Sequence, residues 1–506
     1  MKQIDFSQPR LQSFNGIFLI FFADLAKRIR QNIYILALPF LQKNLFDDYG
    51  TLIYLGLFLL VLTQFIFSYL SYKKFRFSIQ EDAFHLDHGV IRLSHVEIPF
   101  ERIQNINLQQ GVFQQILNVV GFEIETAGEG TAEIKIKALD KGFATALKAK
   151  LIEEKNKVQT EVEIESGPTD ETLESTPDSS ASVLFQLDFR TLIKVGVSSN
   201  LFKGVGLLLA FFAYLYNFIM DFVTNIYDID LEEDFTNRIP ETLTFTSVLI
   251  VSVLVIGFLI TVLTTVLKFF KLKIIKAQQN FEVEYGLFKR VNKVIKKSKT
   301  QIFEIRTNPI KNLFNIKNVF VSQASSHQLS EKQKIGLVGL SKVNLKSLFK
   351  SLFEYEYEAL TFDVVHSKNR LIFRYFYKNL FLLSGLSLAV YFVFLNWFSL
   401  TVLIALSLFL IFISYLRMKK SSIGVNSNFI SIRKGSIDTK FSLIEIHKLQ
   451  SVKLTKNIFQ QYNGHADLVL ETASGMLKVE YLSLNEAQEL MNYLLFKIES
   501  THKNWI

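Results

Sequence analysis

Residues 84–89 read Phe-His-Leu-Asp-His-Gly, residues 281–286 read Phe-Glu-Val-Glu-Tyr-Gly, and residues 430–435 read Ile-Ser-Ile-Arg-Lys-Gly. Each stretch alternates in the manner of a β-strand and ends on a glycine. An isoleucine follows each glycine nine residues later, and a glutamine follows fifteen residues later. The glycines are Gly89, Gly286 and Gly435, and the glutamines are Gln104, Gln301 and Gln450. Because these offsets are kept without a gap, the chain is predicted to contain three copies of one domain.

The local pattern predicts the structure of each copy. His88-Gly89 is typical of a tight hairpin, in which glycine supplies the positive φ that the turn needs. Further strand-like runs follow, and each copy closes with a helix. In the third copy, Ser483 and Glu486 form a capping-box signature ahead of apolar residues at helical spacing. The sequence therefore predicts three α+β domains, each a small β-barrel or sandwich with a C-terminal helix.

Apolar stretches precede each copy and are grouped in pairs. They cover residues 32–45 and 52–70, 204–220 and 243–267, and 379–395 and 398–416. Several are close to the roughly 20 residues that a helix needs to cross the hydrocarbon core. The pattern predicts a membrane protein with about six transmembrane helices in three hairpins. Lysine and arginine follow each pair, so the positive-inside rule predicts that both termini and all three domains are cytoplasmic in a multi-pass protein of the cell membrane.

The predicted division of the chain follows from these stretches. An interfacial helix and the first pair occupy residues 1–72, and the first domain occupies residues 73–152. An acidic linker, predicted to be disordered, covers residues 153–184. The second pair and domain are residues 185–268 and 269–357, and the third pair and domain are residues 358–417 and 418–506.

Composition excludes several kinds of chemistry. The 506-residue chain has no cysteine, so it has no thiol nucleophile, disulfide or cysteine-based metal site. Nucleotide-binding loops, metalloprotease motifs and serine-hydrolase motifs are missing from the sequence. His85, His88 and His95 cluster around Asp87, but a solvated hairpin is favoured there over a metal site. The sequence therefore predicts a protein without enzymatic activity and without a cofactor or metal.

Basic residues suggest which surface the protein meets. The net charge is +9, and this balance beside apolar blocks favours an anionic membrane over nucleic acid as neighbour. The candidate residues for anionic lipid are Lys289, Arg290, Lys293, Lys296, Lys297 and Lys299. A solvated strand face explains the same cluster equally well. The three equivalent glutamines are interpreted either as a shared binding edge or, in preference, as side chains that satisfy backbone groups.

One part of the first copy resembles a known family. The segments Ile98-Pro-Phe-Glu-Arg-Ile-Gln104, Gln110-Gly-Val-Phe-Gln-Gln-Ile-Leu117 and Thr126-Ala-Gly128 are similar to the bacterial pleckstrin-homology-like (PH-like) domain of YdbT-type membrane proteins. The resemblance implies helices that alternate with PH-like domains over nearly the whole chain. It carries no catalytic activity, and it implies partner or lipid binding by analogy of fold.

Together these patterns suggest a hypothesis for the function. The protein is expected to be a membrane scaffold whose three cytoplasmic domains bind anionic lipid, a partner membrane protein or further copies of the chain. A role in envelope maintenance or in defence against stress and antimicrobial peptides fits such a scaffold. The alternative is a transporter or lipid-handling protein that its PH-like domains regulate.

Overall fold

The computed structural model describes residues 6–31, 43–80, 82–126, 134–165, 182–199, 206–211, 243–277, 280–324, 334–378 and 397–501. Contacts divide the chain into two compact units. The first contains the described residues up to Ser179, with Ser199–Lys271 and Glu284–Val294. The second contains Ser180–Ser198, Leu272–Val283 and the chain from Ile295 onward. The first copy lies in the first unit, the third copy lies in the second, and the second copy is divided between them.

The first copy begins with a strand that precedes its apolar helices. Its elements are β1 (Arg10–Leu11), α1 (Gly16–Gln31), α2 (Lys43–Lys74), β2 (Arg76–Gln80), β3 (Ala83–His88), β4 (Ser94–Pro99), β5 (Ile103–Gln110), α3 (Val112–Ile116), β6 (Val119–Thr126), β7 (Ile134–Asp140) and α4 (Lys141–Glu165). Strands β1 to β4 form one antiparallel sheet, and β5, β6 and β7 pair in order in a second. The terminal helix α4 buries Ala144, Leu147 and Leu151 against both sets of strands.

The second copy repeats this order. Its elements are β8 (Ser182–Gln186), α5 (Phe189–Val197), α6 (Leu243–Phe269), β9 (Lys273–Ala277), β10 (Asn280–Tyr285), β11 (Arg290–Lys296), β12 (Thr300–Thr307), α7 (Pro309–Leu313), β13 (Lys317–Gln323), β14 (Ile335–Leu340) and α8 (Lys342–Phe353). Residues 206–211 are also helical. Asn308 caps α7 and Ser341 caps α8, each through a side-chain oxygen that accepts a backbone N–H. These caps satisfy donors that a helix start leaves unpaired, which fixes where both helices begin.

The third copy is built in the same way. Its elements are β15 (Asp363–His366), α9 (Trp397–Lys420), β16 (Ser422–Val425), β17 (Phe429–Gly435), β18 (Thr439–Glu445), β19 (Leu449–Thr455), α10 (Ile458–Tyr462), β20 (His465–Thr472), β21 (Gly475–Ser483) and α11 (Leu484–Glu499). Residues 371–378 form a further helix. The predicted capping box at Ser483 is present, because its hydroxyl accepts the Glu486 N–H and bonds to the Glu486 carboxylate.

Each repeat includes a strand that the sequence prediction assigned to a helical or linker segment. β1, β8 and β15 pair antiparallel with β2, β9 and β16. The apolar helices of each copy are therefore inserted between the first two strands of its sheet. This insertion ties both ends of the helical segment to the domain.

The three hairpin glycines have the same backbone conformation. Their φ angles are +111° at Gly89, +110° at Gly286 and +117° at Gly435. A Cβ at any of them would come within 2.0 Å of a carbonyl oxygen. The turn between the third and fourth strands of each copy therefore requires glycine.

Neighbouring copies are joined by β-ladders. In the first unit, Leu108, Gln109 and Gln110 of β5 lie opposite Asn292, Val291 and Arg290 of β11. In the second unit, β12 pairs with β18, and the sheet order is β14-β13-β12-β18-β17-β16-β15. Ile305, Arg306 and Thr307 lie opposite Phe441, Lys440 and Thr439. These are the repeat equivalents of the first ladder, 197 and 149 residues further on, so both ladders have one register.

The prediction of about six transmembrane helices is wrong. In the part of the chain that the structure describes, two helices are long and apolar enough to cross a membrane, Gly50–Lys74 and Val251–Phe269. Much of the remaining chain forms antiparallel sheets. Of the six predicted stretches, 52–70 and 243–267 correspond to these two helices, and α1, which was predicted as an interfacial helix, carries Asp24, Lys27 and Arg28. The predicted spans 32–45, 204–220 and 379–395 lie mostly or wholly outside the described residues.

The end of the first domain also differs from the predicted boundary. Helix α4 continues to Glu165, beyond the predicted start of the linker at residue 153. Lys150 and Lys157 form ion pairs with Glu153 and Glu154 along this helix. Such pairs three and four residues apart stabilise a helix, so acidic composition alone did not imply disorder. The rest of the linker up to residue 181 lies outside the described residues.

Candidate functional site

The short helix after the fifth strand of each copy exposes apolar side chains. We call α3, α7 and α10 the tip helices. Their exposed residues are Val112, Phe113, Ile116, Ile310, Leu313, Ile458, Phe459 and Tyr462, with exposed fractions between 45% and 91%. Single exposed apolar residues are common on protein surfaces, but the same positions are exposed in all three copies. The repetition indicates that the tip helix has the same kind of neighbour in each copy.

Each tip helix is hydrogen-bonded to a segment beside an apolar helix. Asn15 Nδ2, just before α1, donates to the Leu117 carbonyl at 3.0 Å. Asn308 Nδ2 donates to the Ser198 carbonyl at 2.9 Å. Arg370 donates to Asn463 Oδ1. These bonds hold each tip helix near the chain just before the first helix of its copy (Asn15 and Arg370) or just after it (Ser198).

Contacts of α1 relate the first tip helix to the candidate span. The Phe14 and Tyr72 ring centroids are 6.2 Å apart, and those of Phe21 and Phe65 are 5.7 Å apart. Helix α1 therefore runs antiparallel to the C-terminal half of α2. Only 6% of the apolar window in Gly50–Lys74 is buried. Exposed apolar surface costs about 25 cal/mol per Å² in water, and this helix is long and apolar enough to cross a bilayer.

The hairpin of the second copy lies at the end of the other candidate span. The Leu287 N–H donates to the Leu267 carbonyl at 3.0 Å, and the Gly286 N–H donates to the Phe270 carbonyl at 2.9 Å. Gln115 Nε2 also donates to the Leu287 and Phe288 carbonyls, at 2.9 Å and 2.8 Å. The tip helix α3 and this hairpin therefore form one surface at the end of α6. Lys289 and Arg290 are exposed on that hairpin.

The six basic residues proposed from sequence are divided between the two units. Lys289, Arg290 and Lys293 belong to the first unit, and Lys296, Lys297 and Lys299 belong to the second. Strand β11 rises about 3.3 Å per residue, so its two ends are separated by about 20 Å. Lys297 forms an ion pair with Glu354. Lys289 and Arg290 are therefore the members of this cluster that stand beside a helix end.

The equivalent glutamines have different surroundings. Gln301 is buried, with an exposed fraction of 1%. Gln450 is exposed on β19. Of Gln104 the structure describes the backbone, which lies in β5. Gln301 and Gln450 therefore have different environments. No common geometry of these two residues supports a common role.

A buried ionic network joins the third domain to the helices beside it. The Asp467 carboxylate, 3% exposed, accepts hydrogen bonds from Arg374 Nη1 at 2.7 Å and from the Tyr481 N–H at 2.9 Å, and pairs with Lys478 at 2.9 Å. Tyr375 donates to Glu480 at 2.6 Å. The Arg417 guanidinium of α9 lies 4.8 Å from the Tyr375 ring centroid. The helix of residues 371–378 and helix α9 are thereby connected to β20 and β21.

The charges of this network follow from its partners. Burial by itself would raise the pKa of Asp467, but bonds from Lys478, Arg374 and the Tyr481 N–H hold that pKa below its usual value. Burial and the neighbouring Glu480 raise the pKa of Tyr375, which keeps its hydroxyl protonated as a donor. Sequence analysis missed this network, because Arg374, Asp467 and Lys478 are distant in the chain. The equivalent positions of Asp467 are Gly121 and Asn318, so the repeat gave no signal either.

A polar cleft of about 1050 Å³ lies in the second unit. Lys276, Lys297, Lys448, Glu354 and Glu445 contribute to its walls. Lys448 pairs with Glu445 at 2.9 Å and donates to the Thr300 carbonyl at 2.7 Å. Two of the lysines in its walls, Lys297 and Lys448, already have carboxylate partners.

The histidine cluster is on the exposed face of β3 and β4. His95 bonds to Asp87, and His85 lies opposite Glu97 in the ladder. Throughout the residues that the structure describes, no three His, Cys, Asp or Glu side chains are arranged to hold a metal ion.

The fold and its repeat define a class of protein. The profile of the bacterial PH domain matches residues 32–155, 204–356 and 381–497. The chain therefore belongs to the bacterial PH domain family and contains three such domains, and the predicted resemblance is confirmed.

A described relative matches this chain over nearly its whole length. The UPF0699 transmembrane protein YdbT of Bacillus subtilis (strain 168) is 23% identical over 475 residues, which cover 92% of this chain and 94% of that protein. With two apolar helices long enough to span a bilayer, the chain is a membrane protein with repeated bacterial PH domains.

Proposed function

We propose that the protein is a non-enzymatic membrane scaffold that holds its PH-like domains against the cytoplasmic surface of the cell membrane. The tip helices carry this proposal, because all three copies expose apolar residues there. In this arrangement the tip side chains enter the lipid interface, where amphipathic surfaces gain from apolar burial and from anionic headgroups. The domains are then free to bind a partner membrane protein on their remaining surfaces.

Charge beside the tip helices supports an anionic membrane. Lys289 and Arg290 stand on the hairpin that Gln115 holds next to α3. Lys73 and Lys74 end α2, and Arg417, Lys419 and Lys420 end α9. Each basic residue near an anionic surface adds about 1 kcal/mol of attraction. The basic helix ends also favour the cytoplasmic side for all three domains.

The scaffold is proposed to act by binding. The buried ionic network of the third domain fixes it to its helices, which suits a protein that displays a surface. Envelope maintenance or defence against antimicrobial peptides is the setting that we propose for it.

Reconstitution in nanodiscs tests this proposal. The chain has no cysteine, so Phe113→Cys can carry an environment-sensitive dye as the single label. We expect blue-shifted emission in anionic nanodiscs, and a smaller shift when Lys289→Ala and Arg290→Ala are added. Lys350→Ala, an exposed lysine on α8, is the matched control and should leave the emission unchanged. A dye at Phe113→Cys that stays water-exposed in every lipid would refute the membrane contact.

A further inference from the structure

The third domain has an open strand edge where the first and second domains have a partner. Strands β5 and β12 each pair with a strand of the following copy, in one register. Strand β19 is their equivalent, and within the described residues it is the edge strand of the sheet β19-β20-β21. An edge strand presents unpaired backbone N–H and C=O groups that can bind another strand.

The helix above this edge lacks the cover that its equivalent has. In the second copy, Phe349 and Phe353 of α8 pack on Phe429 of the following copy, with ring centroids 5.9 Å and 5.7 Å apart. Met491 and Leu495 hold the same places in α11, counted from Ser341 and Ser483, and they are only partly buried. Phe496 beside them is 65% exposed. An apolar strip therefore runs along the open edge.

The chain's own first domain is unsuited to this edge. In the joined copies, Leu443 lies opposite Phe303, and Phe441 lies opposite Ile305. The equivalents of Phe441 and Leu443 in the first domain are His95 and Glu97. Pairing β4 of a second molecule with β19 would place Glu97 opposite Val452, which would bury a carboxylate against apolar side chains. The polar face of β3 and β4 is that of a terminal repeat.

We infer that β19 binds an extended strand of a different protein, antiparallel to β19, with apolar residues at two alternating positions. Main-chain hydrogen bonds supply affinity, and the two apolar side chains meet Met491, Leu495 and the β19 side chains Val452 and Leu454, which supplies specificity. The bound strand takes the register of β18 on β12. This inference names the partner site of the proposed scaffold and rests on that proposal.

A peptide with the sequence of β18, Ile437–Ile446, is the probe. In the shared register, Thr455 occupies the place of Arg306, which lies opposite Lys440. The full-length protein carrying Thr455→Cys should therefore form a disulfide with a peptide whose Lys440→Cys thiol is supplied as its mixed disulfide with thionitrobenzoate, by thiol–disulfide exchange that releases thionitrobenzoate. We expect this coupling to be about tenfold faster than with a peptide carrying Leu443→Cys, because only the first pair is brought together by the ladder.

Met476→Cys is the matched control in the protein. Met476 is 67% exposed on β21, at the other edge of the same sheet, and should couple slowly with either peptide. Equal rates at Thr455→Cys and Met476→Cys, or equal rates for both peptides, would overturn the inference. Covalent dimers between Thr455→Cys and Ser94→Cys chains would also overturn it, since they would show that a second copy fills the edge. Each of these results would leave the dye measurement at Phe113→Cys unaffected.

Discussion

At the scale of single residues, Asp467 is the side chain on which the third domain's attachment depends. Its carboxylate is 3% exposed and accepts from Arg374, Lys478, the Gln460 side chain and the backbone N–H of Tyr481. Removing one member of such a buried network leaves the remaining buried charges unpaired. This lowers the folding stability more than the loss of a surface ion pair does.

Asp467→Asn is expected to lower the stability of the third domain by about 2 kcal/mol at neutral pH. The pKa of Asp467 is lower in the folded state than in the unfolded chain. The ionised carboxylate therefore stabilises the folded domain fully above about pH 4, the ordinary aspartate value, and this stabilisation is lost as pH falls through the folded-state pKa. The variant should therefore lose less stability on acidification than the wild type does. Thermal melts from pH 7 to pH 3 check this.

Glu471→Gln is the matched control, because Glu471 lies on the same strand and pairs with Lys453 at the surface. Its effect should be smaller than that of Asp467→Asn. Parallel pH profiles for the wild type and Asp467→Asn would show that this carboxylate does not stabilise the domain.

At the scale of elements, the ladders between copies matter more than any one strand. Leu443 of β18 is 1% exposed and lies opposite Phe303 of β12. Phe303 in turn packs against Phe349 and Phe353 of α8. A change in β18 therefore alters the core of the preceding copy as well as its own sheet.

Leu443→Ala should destabilise the second unit by about 3 kcal/mol through lost burial and the cavity left behind. Because both sides of the ladder depend on Leu443, hydrogen exchange should speed up in β12 and β13 as well as in β17 and β18. Val425→Ala, also buried but outside this ladder, should speed exchange mainly in β16 and β17. Faster exchange in β17 and β18 alone would mean that the copies unfold independently.

The sequence predicted part of these elements. The spacing of Gly89, Gly286 and Gly435 located all three hairpins, since a turn with positive φ restricts the residue type strongly. The strands β1, β8 and β15 were missed, because they are short and because the apolar helices separate them in sequence from the strands that they pair with. The ladder between Phe303 and Leu443 was missed as well, since pairing between distant strands leaves no local pattern.

At the scale of the whole molecule, hydropathy overestimated the number of spans and the repeat established the architecture. Apolar runs indicate burial but do not specify whether lipid or protein covers them. The basic residues of Lys289–Lys299 are close in sequence, yet β11 places Arg290 and Lys296 about 20 Å apart. The tip helices were not predicted as a site, although Val112, Phe113, Ile458 and Phe459 are repeat equivalents that the sequence shows.

The depth of the tip helices in the bilayer tests the central claim most directly. Single labels at Phe113→Cys, Leu313→Cys and Phe459→Cys would be compared with Met476→Cys in vesicles that contain lipids quenching at a known depth. Met476 is apolar and about as exposed as Phe113. It lies just after the end of β20, whereas α10 lies just before the start of β20, about 25 Å away along the strand. We predict that the shallow quencher acts on all three tip labels and spares Met476→Cys. Equal quenching at all four positions, or none at any tip, would contradict the account.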